Sequence, residues 1–131
     1  ILIGSLKPTR DFNYVDDIVN AYILSIKNKK CIGEIINLST GTETSIKETV
    51  NLVSDILDVK FQVVQKKERI RPSKSEVNRL CGSNKKAQKI LKWKPKYSGK
   101  KMFKEAIIKT INWYKSPINL KNYKDVNKFA L

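Results

Sequence analysis

Stretches with helical periodicity alternate along this chain with short runs rich in Ile, Leu and Val, an order that fits α/β and α+β architectures and few others. From Val15 the apolar residues Val15, Ile18, Val19, Tyr22, Ile23 and Ile26 fall three and four apart, which predicts a helix with one apolar stripe. Asp16 and Asp17 sit in its first turn, where carboxylates complement the helix dipole. The pattern dissolves in KNKKCIGE, and the following EIINLST, residues 34–40, reads as a buried strand. Gly41 then breaks the chain. Ser45 to Glu48 has the form of a capping box and opens a second helix carrying Ile46, Val50, Val53, Ile56 and Leu57 on one face. The opening Ile1–Ser5 and FQVVQ at 61–65 read as further strands, and Pro72 keeps ERIRPSKSEV irregular. A short helix is expected at 84–91, and WKPKYSG is a turn holding Trp93 against the core. A last helix runs from about residue 100 to 114, with Met102, Phe103, Ala106, Ile107, Thr110, Ile111 and Tyr114 in register. Residues 1–115 form the structured part, and 116–131 form a polar, loosely held C-terminal tail.

At 131 residues and 40% apolar content the chain can build a core. No apolar run approaches the roughly 18 residues of a membrane span, and no signal-peptide pattern is present. Cys31 and Cys81 lie 50 positions apart with no histidine in the chain, which gives neither a zinc spacing nor a disulfide framework and points to a reduced, cytoplasmic setting. The net charge is +15, yet of 27 basic residues only Arg10, Arg69, Arg71 and Arg79 are arginine. Nucleic-acid readers cluster arginine along one face, whereas lysine here is dispersed through every segment, so nucleic acid is a disfavoured partner. Such a surface still draws small anions toward a cleft.

The absence of histidine removes a histidine base, nucleophile partner or metal ligand. Gly4, Gly33, Gly41, Gly82 and Gly99 are too far apart to form a phosphate loop, so the chain makes no dinucleotide fingerprint by itself. Tyr97 and Lys101 have catalytic Tyr-x-x-x-Lys spacing, but Pro95 precedes them and Ser98-Gly99 lies between, at a helix boundary; a four-residue spacing is also cheap to obtain among 23 lysines. The pair is rejected and no catalytic residue is assigned. The remaining candidates are Arg10, just before the first helix, and Arg71 with Glu76 in the Pro72 loop. Guanidinium forks suit an anion, and a carboxylate suits a ribose diol, if the fold joins the two segments. On residues alone, arginines that simply cover the surface stand as the competing explanation.

TRDFNYVDDIVNAYILSI, residues 9–26, resembles the Arg-Asp-aromatic-x-(Tyr/His)-Val-x-Asp stretch of the extended short-chain dehydrogenase/reductases, the NAD-dependent nucleotide-sugar epimerases and 4,6-dehydratases. EIINLSTGTETSIKETVNLV is similar to the family's strand, glycine turn and S-I-x-E helix. RIRPSKSEV resembles its Arg-Pro loop, and SNKKAQKILKWKPKY its Asp-x-(Ser/Thr)-Lys-Ala…Leu-Gly-Trp-x-Pro segment, with Ser83 and Lys92 departing from the usual Asp and Gly. Order and spacing agree from residue 1 to about 115.

The resemblance implies an incomplete α/β fold: the C-terminal part of a Rossmann-type domain plus a small α+β substrate-binding domain. It implies a nucleotide-sugar substrate, with Arg10 near the nucleotide diphosphate, Arg71 on a substrate phosphate and Glu76 on the nucleotide ribose. Asp17 matches a structural Asp that organises the helix start and a turn. NAD or NADP belongs to the intact enzyme, a homodimer with a role in surface-polysaccharide biosynthesis, and none is held by this portion alone. The cofactor glycines and the catalytic Ser/Thr-Tyr-Lys set lie in an N-terminal half upstream of residue 1, so the chain alone is expected to be inactive. SLKPTRDF and RPSKSEV look nearest the 4,6-dehydratase-like members. The strand at Ile1–Ser5 and EIINLS would then show edges and apolar faces that the other half covers. A basic nucleic-acid-binding module and a stand-alone interaction domain are the alternatives.

Overall fold

The computed structural model describes residues 1–72 and 74–121. Two small sheets and five helices follow one another in the expected alternation. Strand β1 (Leu2–Ile3) pairs in parallel with β4 (Val64–Gln65), so both apolar runs read as strands do enter a ladder. Strand β2 (Thr9–Arg10) is central in the second sheet, antiparallel to β3 (Thr44–Ser45) and parallel to β5 (Arg79–Leu80). These three strands are two residues long, too short to carry a period-2 signal in the sequence.

Helix α1 (Val15–Ile26) forms where its periodicity predicts, but with the opposite face inward. Its buried residues are Asp17 and Ala21, with Leu24 packed beside them, while Val15, Val19, Tyr22, Ile23 and Ile26 are exposed. The apolar stripe is real; the core described here lies on the other side of the helix. The segment 34–40 is extended but belongs to no ladder among the described residues. Ile36 and Leu38 turn toward the core cluster of Ala21, Ala87, Leu91 and Trp93, and Ile35 and Asn37 turn to solvent, the alternation of a strand.

Helix α2 (Ile46–Leu57) opens with the full capping box: the Glu48 N–H donates to Ser45 Oγ (3.1 Å) and the Ser45 N–H donates to Glu48 Oε2 (2.8 Å). The Ser45 N–H, followed by the Ser45 hydroxyl, holds the Glu48 carboxyl below its ordinary range. Helix α3 (Lys85–Leu91) ends on Lys92 in the left-handed conformation, φ 57°. A side chain there pays for a backbone shape that glycine adopts freely. Lys92→Gly is therefore expected to raise stability by about 0.5–1 kcal/mol, read as a higher urea midpoint with an unchanged slope.

Helix α4 (Gly99–Lys115) sets Phe103 in a stack on Phe12, ring centroids 5.4 Å apart. The chain then turns at Ser116 into α5 (Pro117–Lys121), which packs on α4 and is pinned by Asn119 Nδ2 donating to the Trp113 carbonyl (3.0 Å). The start of the expected loose tail is thus helical, and the rest of it, residues 122–131, lies outside the described residues. Among the described residues no helix is long and apolar enough to cross a membrane.

Candidate functional site

Two carboxylates, half-buried Asp11 and buried Asp17, fix the frame around the Arg10 strand. Asp11 accepts from the Thr40 N–H (2.8 Å), the Thr40 hydroxyl (2.6 Å), the Gly41 N–H (3.0 Å) and the Gly82 N–H (3.3 Å), binding two separate segments to the end of β2. Gly82 has to be glycine for this approach, because a Cβ there would lie 2.6 Å from Ser39 Cβ. Asp17 accepts from the backbone N–H groups of Lys96 and Tyr97, each at 2.9 Å, and its own carbonyl accepts from Trp93 Nε1 at 2.9 Å. The first turn of α1 therefore holds the Trp93 turn, the structural part expected of Asp17. Asp11 stood next to Arg10 in the sequence with no signal of its own; a carboxylate's partners are set by tertiary contacts that periodicity does not encode.

The Pro72 loop is gripped at both ends. On its N-terminal side, Gln65 Nε2 donates to the Gly4 carbonyl (3.1 Å) and Arg69 Nη1 to the Leu2 carbonyl (3.3 Å). Gly4 packs so tightly that a Cβ would stand 2.3 Å from the Arg69 carbonyl oxygen. After Pro72 the chain doubles back, with the N–H groups of Ser75 and Glu76 donating to the Pro72 carbonyl at 2.8 and 3.1 Å. At the C-terminal side Arg10 closes the loop: Nη1 donates to the carbonyls of Thr9 (2.8 Å) and Val77 (2.7 Å), and Nη2 meets Glu76 Oε1 at 3.4 Å.

The fold thus joins two of the three predicted site residues directly. Arg10 and Glu76 form a half-buried ion pair, and Arg71 stands exposed on the same loop, with no hydrogen bond or ion pair to another described residue. Of the other arginines, Arg69 is bound to the Leu2 carbonyl and Arg79 Nε donates to Glu43 Oε1 at 2.9 Å. Glu43 also accepts from the Thr9 hydroxyl (2.7 Å). That hydroxyl first, and Arg79 next, hold the Glu43 carboxyl below its ordinary range. Sequence reasoning missed this Thr9–Glu43–Arg79 link, whose members are dispersed over 71 positions of unremarkable polar sequence.

Tyr97 is buried against Tyr14, ring centroids 4.5 Å apart, and Lys109 stands 5.2 Å from the Tyr97 ring. A hydrogen bond with Tyr97 is the main cause raising the Lys109 pKa. This packing suits a structural tyrosine. Among the described residues no group of three or more His, Cys, Asp or Glu could hold a metal ion. Nor do they fit a dinucleotide cofactor: the amides opening α2 are occupied by its own capping box, and no run of glycines precedes a helix. Among the described residues the arrangement offers one exposed guanidinium, Arg71, and one carboxylate, Glu76, positioned by Arg10.

The family described as GDP-mannose 4,6 dehydratase matches residues 1–106. A UDP-glucuronate 4-epimerase of Thermodesulfobacterium geofontis is 32% identical over 120 residues, 91% of this chain and 34% of that protein. Among solved structures, an epimerase from Methanothermobacter thermautotrophicus superposes with a TM-score of 0.77 at 28% identity, covering 91% of this chain and 33% of that one. RMD from Pseudomonas aeruginosa, complexed with NADPH, gives 0.69 at 27% identity, covering 82% and 33%. The chain belongs to the GDP-mannose 4,6-dehydratase family, among the nucleotide-sugar epimerases and dehydratases of the extended short-chain dehydrogenase/reductases. It spans about a third of the length of these relatives, and its mixed α/β fold matches that third.

Proposed function

We propose that the chain is the C-terminal, substrate-binding portion of an NAD(P)-dependent nucleotide-sugar 4,6-dehydratase or epimerase, and that it binds the nucleotide diphosphate of the substrate. The observation that carries this reading is the state of the four arginines. Arg10, Arg69 and Arg79 are each committed to a carbonyl or carboxylate, whereas Arg71 is exposed and uncommitted among the described residues, on a loop anchored at both ends. An anchored loop loses little entropy when its guanidinium takes up a diphosphate, and a planar fork matches phosphate oxygens. Arg10 acts mainly by setting Glu76, whose second oxygen serves the ribose hydroxyls. The lysine-rich surface supports the same reading by attracting a polyanionic substrate.

In this account the rest of the enzyme brings NAD or NADP, which supplies hydride transfer at the sugar, together with the tyrosine base; the whole enzyme is a cytoplasmic homodimer serving polysaccharide biosynthesis. The chain alone turns over no nucleotide sugar. Arg71→Ala is expected to weaken binding of UDP-, GDP- or dTDP-sugar by roughly 10–100-fold, the loss of one or two charge-assisted hydrogen bonds, while the unfolding midpoint stays in place. Calorimetric titration with thermal unfolding on the same samples checks both halves, and unchanged affinity counts against the assignment.

A further inference from the structure

Strand β5 (Arg79–Leu80) carries the C-terminal end of the Pro72 loop, and burial does little to keep it in place. Both of its residues are exposed, Leu80 at 58%, and Val77 just before it is 45% exposed. What holds β5 is polar. On the backbone, the Thr9 N–H donates to the Asn78 carbonyl and the Asp11 N–H to the Leu80 carbonyl, each at 2.9 Å. Successive side chains of a strand point to opposite faces, so Thr9 and Arg10 of β2 leave the sheet on different sides. On one side Arg10 takes hold of Glu76 and the Val77 carbonyl. On the other, Glu43, the residue before β3, spans two neighbouring strands. Its Oε2 accepts from the Thr9 hydroxyl of β2 (2.7 Å) and its Oε1 from Arg79 Nε of β5 (2.9 Å).

We infer that Glu43 is a positioning residue for nucleotide binding: by joining Thr9 to Arg79 across the face opposite Arg10, it fixes the strand from which Arg71 and Glu76 are presented to the substrate's diphosphate and ribose. Both of its oxygens are engaged within the chain, which suits a part played through the loop instead of on the ligand. Arg79 follows Glu76 by three positions and Arg71 by eight, so a shift of β5 is passed to both groups. An exposed ion pair of this kind adds little to global stability. The strand it holds has no apolar packing to replace it, so its removal is felt in the loop and not in the unfolding midpoint. The inference rests on the reading above that Arg71 and Glu76 take the nucleotide.

The test uses the 131-residue chain with UDP and GDP as probes. Glu43→Gln keeps the shape of the side chain and removes its charge. It is expected to raise the Kd about 3–10-fold with the urea midpoint unchanged. Hydrogen exchange of the Thr9 and Asp11 amides, which report the β2–β5 pairing, should quicken about 10-fold. The Ile46 and Lys47 amides, which donate to the carbonyls of Pro8 and Leu6, should exchange as before. Arg79→Met, which removes the partner instead, should give the same pattern. Added to Arg71→Ala, Glu43→Gln should weaken binding less than it does alone, because the group it positions is already gone. The inference is overturned by a Glu43→Gln chain that binds as tightly as the unaltered one, or by unchanged exchange at Thr9 and Asp11. Losses that multiply in full in the double variant overturn it too, as does a fall in the urea midpoint that accounts for the weaker binding. If Arg71→Ala weakens binding while Glu43→Gln does not, the nucleotide reading stands and the positioning alone fails. A chain that binds neither nucleotide overturns both.

Discussion

Replacing Trp93 with alanine is expected to cost about 3–5 kcal/mol, a large share of the 5–15 kcal/mol that holds a typical domain together. Trp93 is 1% exposed and is the largest fully buried side chain described, in contact with a cluster whose other buried members, Ala21, Ala87 and Leu91, are mostly small. Two alanines cannot close over the space an indole leaves, so the cavity persists and its cost adds to the lost transfer energy. The indole N–H also holds the Asp17 carbonyl, which loses that donor on truncation. Urea unfolding followed by far-ultraviolet circular dichroism should show a midpoint lowered with the slope kept, or no cooperative transition at all. Trp93→Phe should lose less, because it keeps most of the volume and gives up only the N–H.

Asp17→Ala is expected to cost about 3 kcal/mol, the sum of two hydrogen bonds to a charged acceptor and two amides left without partners. Its carboxylate, 4% exposed, is divided between the Lys96 and Tyr97 N–H groups, so no single replacement acceptor serves both. Asp17→Asn keeps one oxygen and should recover roughly half of the loss. The turn that Asp17 holds is the one that seats Trp93. The double variant Asp17→Ala, Trp93→Ala should therefore be destabilised by less than the two single effects added, a coupling that equilibrium unfolding of all four proteins measures.

Much of this fold is legible in the sequence where a local signal exists. The capping box at Ser45–Glu48, the helices around Ile46–Leu57 and Gly99–Lys115, and the burial of Trp93 all follow from spacing and capping chemistry. Helix α1 shows the boundary of that reasoning. Periodicity gives the existence of an apolar face but not what covers it, and here the stripe from Val15 to Ile26 faces away from the core formed within the chain. The run EIINLST has strand composition and strand alternation, yet a ladder needs a neighbour, and none stands beside it among the described residues. For the site, composition points to arginines in loops, but only the fold distinguishes their states. Arg10 is drawn onto Glu76 and the Val77 carbonyl, 66 and 67 positions away, and Arg71 is not. Contacts of that separation leave no periodic trace.

The measurement that bears most directly on the substrate-binding account is nuclear magnetic resonance of the arginine Nε–H groups during titration with UDP and GDP. With four arginines in the chain, each guanidinium can be followed separately. The account predicts a saturable shift centred on Arg71, a smaller one at Arg10 through its pairing with Glu76, and little at Arg79, which Glu43 retains. It would be contradicted by an Arg71 signal that stays still, or by weak shifts spread over all the basic groups that vanish together as salt is raised.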